Sequence, residues 1–174
     1  MTESILEASS PEEYDAFRAL TRGYVEWCRK RFSDLPWFVD RVFSHQSLDD
    51  ELSTIARAYG RPRGKVLLAA ANGQIIGGGA YRTIAPGVCE MKRLFVPEAF
   101  QGTGVGRRLC EALVAHARAD GFHLMRLDTA TLLHEALRLY RSAGFVECEP
   151  YNEYPQELRP FIVFMERPLS PTAG

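Results

Sequence analysis

A chain of 174 residues, 46% hydrophobic and 25% charged, is long enough to bury one sizeable core and is expected to form a single domain over 1–169, with a short tail at 170–174. Its formal net charge of −1 argues against a nucleic-acid partner held by bulk electrostatics. No apolar run approaches the ~20 residues of a membrane helix, and the opening MTESILEASS lacks a basic, then apolar, leader pattern, so a cytoplasmic protein with no membrane partner is expected.

Cap and turn signals divide the chain. Ser10-Pro-Glu-Glu13 offers a capping serine, a first-turn proline and a glutamate that completes a capping box. Tyr14, Phe17, Leu20, Tyr24, Trp27 and Cys28 then recur at helical spacing, which predicts an amphipathic helix ending near Phe32. A second helical region is expected over 35–59, broken near His45 to Leu48 and ended by Gly60 to Gly64. The basic cluster Arg61-Pro-Arg-Gly-Lys65 is interrupted by turn formers and reads as a solvated loop.

The period then changes. Lys65 to Ala71 and Gln74 to Arg82 are expected strands joined by the hairpin turn Asn72-Gly73. Pro86-Gly87 leads into a third strand, Glu90 to Val96. Leu109, Leu113, Val114 and Ala117 mark one face of a helix from about Gly104 to Ala119, closed by Gly121. A strand at His123 to Thr129 precedes a helix at Leu132 to Ala143 with Gly144 in the C-cap position. Strands near Val146 to Tyr151 and Phe161 to Arg167, with a tyrosine- and proline-rich loop between, complete a mixed α/β fold.

Cys28, Cys89, Cys110 and Cys148 are widely spaced without a CxxC pair, so reduced cysteines and neither a disulfide framework nor a zinc site are expected. His45, His116, His123 and His134 share no metal or triad spacing. No metal is called for.

The stretch Gln101-Gly-Thr-Gly-Val-Gly-Arg-Arg-Leu109 breaks a local rule. Glycines open a helix they disfavour, and Arg107 and Arg108 oppose the helix dipole in its first turn by ~0.3–1 kcal/mol each. A bound polyphosphate reverses that sign, because glycines let several backbone N–H groups approach one anion. The P-loop pattern is absent, since Gly106 is followed by Arg-Arg, and the dinucleotide pattern fails at Arg107.

What remains is Q-x-x-G-x-G, with Gln101, Gly104 and Gly106. With Glu-Met-Lys-Arg-Leu-Phe-Val96 before it and Ala136-Leu-Arg-Leu-Tyr-Arg-Ser-Ala-Gly-Phe145 after it, this resembles the GNAT family of N-acetyltransferases. The resemblance implies a mostly antiparallel mixed sheet with splayed central strands, flanking helices, and acetyl-CoA as co-substrate. It places Leu94, Phe95 and Val96 against the pantetheine arm. Gln101, Gly102, Thr103, Gly104, Val105, Gly106 and Arg107 would surround the pyrophosphate, with Arg107 or Arg108 as a possible side-chain contact. Tyr140 matches a tyrosine that protonates the departing thiolate, although its spacing also fits a packed core tyrosine. Leu133 stands where the family often has a cofactor-contacting asparagine.

By the same resemblance Glu90 is the candidate general base; an ordinary charged strand end is the alternative. A base matters because an alkyl amine is mostly ammonium at pH 7. Direct attack in a ternary complex needs no acyl-cysteine. The acceptor, a primary amine of a small molecule, amino acid or peptide, is expected near Trp37, Phe38, Tyr151, Asn152 and Tyr154. Monomer and homodimer are both open. A non-catalytic acyl-CoA sensor or an interaction module on the same fold is the competing reading.

Overall fold

The computed structural model describes residues 3–169; the tail expected at 170–174 lies outside the described residues. The elements in chain order are β1 (Glu3–Glu7), α1 (Pro11–Arg31), α2 (Pro36–His45), α3 (Leu48–Ser53), α4 (Ile55–Tyr59), β2 (Gly64–Ala71), β3 (Gln74–Ala85), β4 (Val88–Phe95), α5 (Val105–Ala119), β5 (Leu124–Ala130), α6 (His134–Ser142), β6 (Val146–Glu147) and β7 (Ile162–Pro168). They build one seven-stranded sheet in the order β1-β2-β3-β4-β5-β7-β6, antiparallel except for β4 and β5.

Local chemistry accounts for most of these boundaries. Ser10 and Glu13 form the reciprocal capping box, with the Ser10 hydroxyl accepting from the Glu13 N–H at 3.2 Å and Glu13 accepting from the Ser10 N–H at 2.9 Å. Asn72 and Gly73 both take positive φ, as a two-residue hairpin matching strand twist requires. The break between α2 and α3 falls at Gln46–Ser47 as expected, and Thr54 adds a second between α3 and α4.

Helices cover both faces. Phe17 from α1, Leu52, Ile55 and Tyr59 pack with Val66 and Leu68 on one side. Leu109, Leu113 and Val114 from α5 pack with Leu67, Met91 and Met125 on the other. Each such fully buried leucine contributes about 1.5–3 kcal/mol of transfer free energy. The run Gly77-Gly-Gly79 lets the helices come this near. An added Cβ would lie 3.0 Å from Leu109 Cδ1 at Gly77, 3.0 Å from Leu20 Cδ1 at Gly78 and 2.8 Å from Leu113 Cδ1 at Gly79.

Two features of β4 position the site. It pairs with β5 only at Val88–Leu124, Cys89–Met125 and Glu90–Arg126. Beyond that, β5 stays with β7 and β4 stays with β3, so the central strands part and β4 shows a free main-chain edge from Met91 onward. The β3–β4 register also slips between Gly78–Phe95 and Ala80–Lys92, where Arg93 has φ 59. This bulge turns Lys92 and Arg93 toward the same side of the sheet, where strict alternation would separate them.

Three expectations change. β1 forms an edge strand paired with β2, where no strand was expected. β6 is two residues long because the chain leaves the sheet before Pro150. Lys65 is not solvated: it is 4% exposed, between His116 Nδ1 at 3.1 Å, Glu7 at 3.3 Å and Asp120 at 3.4 Å. Among the described residues no helix is long and apolar enough to cross a membrane.

Candidate active site

The wedge between β4 and β5 opens into two cavities. The first, about 440 Å³, runs along Leu94, Phe95 and Val96 to Gly102, Gly104, Gly106 and Arg107. The second is more enclosed, about 80 Å³, between α1, α2 and the sheet. Tyr24, Leu94, Thr129, Leu133 and Tyr140 line both, so the cavities meet there.

The first cavity has the features of an anion cradle. α5 has no side-chain cap, unlike α1, and its first intrahelical acceptor bond runs from the Arg108 N–H to the Gly104 carbonyl. The N–H groups of Val105, Gly106 and Arg107 precede it and have no helical partner. Gly104 is at φ 88, which leads the chain into the helix. Gly106 is helical, and an added Cβ there would make only ordinary contacts, 3.7 Å to Val96 and 3.9 Å to Leu139. No protein atom demands a glycine at that position, which costs about 1 kcal/mol relative to alanine.

Side chains around this loop divide their work. Gln101 donates from Nε2 to the Val96 carbonyl at 3.0 Å, tying the loop to the end of β4. Thr103 donates to the Phe100 carbonyl at 2.6 Å. Arg107 lines the cavity and pairs with Glu111 at 2.9 Å, whereas Arg108 pairs with Glu3 of β1. Tyr140 is 9% exposed and its hydroxyl makes no hydrogen bond among the described residues. Burial, with the nearby Asp128 charge, pushes its phenol well up, so it stays protonated. Leu133 is an apolar wall.

The second cavity backs onto a chain of buried polar groups. Arg93 donates to both Glu51 carboxylate oxygens, at 3.1 and 2.6 Å, and to Gln46 at 2.7 Å. Gln46 donates to the Tyr154 hydroxyl at 2.9 Å, which donates to Asp128 at 3.0 Å. Asn152 lies 3.4 Å from Asp128 and donates to Glu90 at 3.0 Å. Tyr151 donates to Glu90 at 2.9 Å, and Arg82 approaches it at 3.3 Å. Burial works to raise both Glu51 and Glu90, but the adjacent cations and hydrogen bonds outweigh it and hold both below the ordinary carboxylate range.

The expected site residues therefore fall into groups. Leu94 to Val96, Gln101, Gly102, Gly104, Gly106, Arg107 and Tyr140 share the first cavity, whereas Thr103 and Val105 of the same loop do not line it. Glu90, Tyr151 and Asn152 are joined by hydrogen bonds, but line neither cavity. Trp37 is 45% exposed, packed edge-on against Phe38 and Phe161, and also lines neither. Sequence reasoning passed over Gln46, Glu51, Lys92, Arg93 and Asp128. The available signal was charge inside strands: Glu-Met-Lys-Arg within one apolar run, and Asp128 between Leu127 and Thr129. Cys28, Cys89 and Cys110 are buried and free, their thiols pushed up to about 12 by burial. Among the described residues no group of three or more His, Cys, Asp or Glu could hold a metal.

The family model for the acetyltransferase (GNAT) family matches residues 18–145. An uncharacterized N-acetyltransferase of Schizosaccharomyces pombe is 34% identical over 96% of this chain and 95% of its own length. An IAA acetyltransferase of Azospirillum brasilense is 34% identical over 68% of this chain and 74% of its own. A Salmonella typhimurium protein solved with its cofactor acetyl-CoA superposes with a TM-score of 0.66 at 19% identity, covering 100% of this chain and 98% of that one. The chain belongs to the acetyltransferase (GNAT) family of acetyl-CoA-dependent N-acyltransferases.

Proposed function

We propose that this chain transfers the acetyl group of acetyl-CoA to the primary amine of a small molecule, amino acid or peptide, by direct attack with both substrates bound. The observation that carries the reading is the meeting, at Leu94, Thr129 and Tyr140, of a cleft that runs to the uncapped start of α5 and a more enclosed second cavity. Acetyl-CoA supplies the thioester. The uncapped amides of Val105, Gly106 and Arg107 hold its diphosphate, on a loop shaped by Gly102, Thr103 and Gly104 and fixed by Gln101. The free edge of Leu94, Phe95 and Val96 pairs with the amide-bearing arm.

At the junction a C–N bond forms, a C–S bond breaks, and one proton leaves the amine while another reaches sulfur. Tyr140, kept protonated by burial, donates to sulfur. Tyr140→Phe is expected to lower kcat about 10²-fold, within the range of one lost acid–base group, with the CoA Kd unchanged. An unaltered kcat in a thiol-release assay removes the acid role. Cysteine thiols held protonated at neutral pH are poor nucleophiles, which supports direct attack over an acyl-enzyme.

Two carboxylates compete for the amine proton. Glu90 does not line the second cavity and is held by Tyr151, Asn152 and Arg82, whereas Asp128 lines it. We assign the base to Asp128, with Glu90, Tyr151 and Asn152 holding it and Lys92 in position. Asp128→Asn is expected to reduce kcat about 10²-fold and Glu90→Gln less than about 10-fold. The reverse order returns the role to Glu90. Acceptor-dependent thiol release across a panel of amines tests the proposal as a whole, and CoA binding without any such release would leave a sensor.

A further inference from the structure

We infer that the acceptor is a compact zwitterion, a free α-amino acid with an apolar side chain, bound with its carboxylate on Lys92 and its amine toward Asp128. This deepens the acetyl-transfer reading and rests on it. Charge accounting in the second cavity leads here. Arg93 faces it, yet its charge is already paired with the Glu51 carboxylate, to which Nε and Nη2 donate, while Nη1 donates to Gln46. Lys92 also lines the cavity and is 8% exposed. Among the described residues its Nζ makes no hydrogen bond, and its ion-pair approach is to Glu90 Oε1 at 3.9 Å.

Glu90 does not reach Lys92: Tyr151 and Asn152 on its Oε2 and Arg82 on its Oε1 hold the carboxylate where the nearest oxygen stays 3.9 Å from Nζ, beyond hydrogen-bond reach. Burial, with the Arg93 charge beside it, lowers the Lys92 pKa against the pull of Asp128 and Glu90. That is the response of a cation short of partners, and an anion placed in the cavity relieves it. The other charge lining the cavity is Asp128. One unpaired cation and one carboxylate lining a single cavity suit a ligand carrying both signs. They do not suit a plain amine, which would leave Lys92 unpaired beside a second positive charge.

Size and walls narrow the class. About 80 Å³ of free space, against the ~10–15 Å³ one water needs, holds the equivalent of roughly five to eight waters. That is the scale of an amino acid. Phe38, Val39, Val42, Phe43 and Ile162 supply apolar wall for a side chain. The amine then lies on the Asp128–Thr129 side, and Thr129 is one of the residues shared with the thioester cleft.

The test compares free alanine, valine, leucine, methionine and phenylalanine with their carboxamides, which keep the amine and body but lose the anion. For the protein as it stands, kcat/KM is expected to favour the acids by about 10–100-fold, the worth of one charged hydrogen bond. Lys92→Met, similar in length and apolar, is expected to bring the acid-to-amide ratio of kcat/KM to within about threefold of one. Amides used as well as acids, or equal loss of both in Lys92→Met, overturns the inference. Should that variant fail to fold, the acid-to-amide comparison in the unaltered chain decides alone. Calorimetric titration of the CoA-saturated protein with the same compounds separates the two claims. Acid binding without thiol release sinks acetyl transfer and keeps the acceptor class; thiol release from amides with acids ignored does the opposite.

Discussion

Replacing Gly104 by Asp is expected to weaken CoA binding by more than about 100-fold while the fold stays intact. Gly104 precedes the uncapped start of α5 at φ 88. Asp is among the few residues that accept left-handed backbone, at a cost of about 1–2 kcal/mol. An added Cβ meets the far end of Arg108 at 2.9 Å, a long side chain able to move aside. The new carboxylate then faces the diphosphate. Two like charges ~5 Å apart at an effective dielectric of ~20 repel by about 3 kcal/mol, or about 150-fold in affinity. Gly104→Asn carries the same backbone cost without the charge, so it is expected to bind within about tenfold of the parent. Calorimetry on both variants measures this; equal losses would mean steric disruption and no anion cradle.

The second large effect concerns stability. Arg93→Met leaves Glu51 buried against Tyr59 with its paired cation gone, and is expected to cost about 3–5 kcal/mol. For a domain of this size each kcal/mol moves the melting midpoint by about 2–4 °C, so a fall of roughly 6–20 °C should appear. Adding Glu51→Gln to Arg93→Met removes the orphaned charge and should recover most of the loss. The pH dependence has a definite sign. Glu51 and Glu90 titrate below their ordinary range in the folded state, so their stabilisation is present above the unfolded carboxylate value and is lost as pH falls through the lower folded value. Denaturant midpoints that are flat from pH 6 to pH 3, or a double variant no better than the single one, would contradict this account of the network.

That network also marks where sequence reading stops. The helix starting at Ser10, the Asn72-Gly73 hairpin and the face Leu109, Leu113, Val114 and Ala117 rest on local rules, and they were legible. So were the glycine loop and Tyr140, whose positions follow from a motif of fixed spacing. β1 was not, because a short segment with only Ile5 and Leu6 as large apolar residues becomes a strand through its pairing with β2. The bulge at Arg93 puts consecutive residues on one side of the sheet, which no period-two pattern displays. Asp128, Tyr154 and Gln46 come from three separate elements or loops and meet only in the folded chain. Tyr151 and Asn152 were placed on the acceptor side, but as direct contacts; their hydrogen bonds go to Glu90.

A crystal structure of the protein with CoA bound tests the central claim most directly. The account expects the diphosphate within hydrogen-bonding distance of the Val105, Gly106 and Arg107 amides, and the pantetheine arm alongside Leu94 to Val96 with its sulfur near the Tyr140 hydroxyl. A diphosphate bound elsewhere, with the start of α5 facing only water, would contradict it.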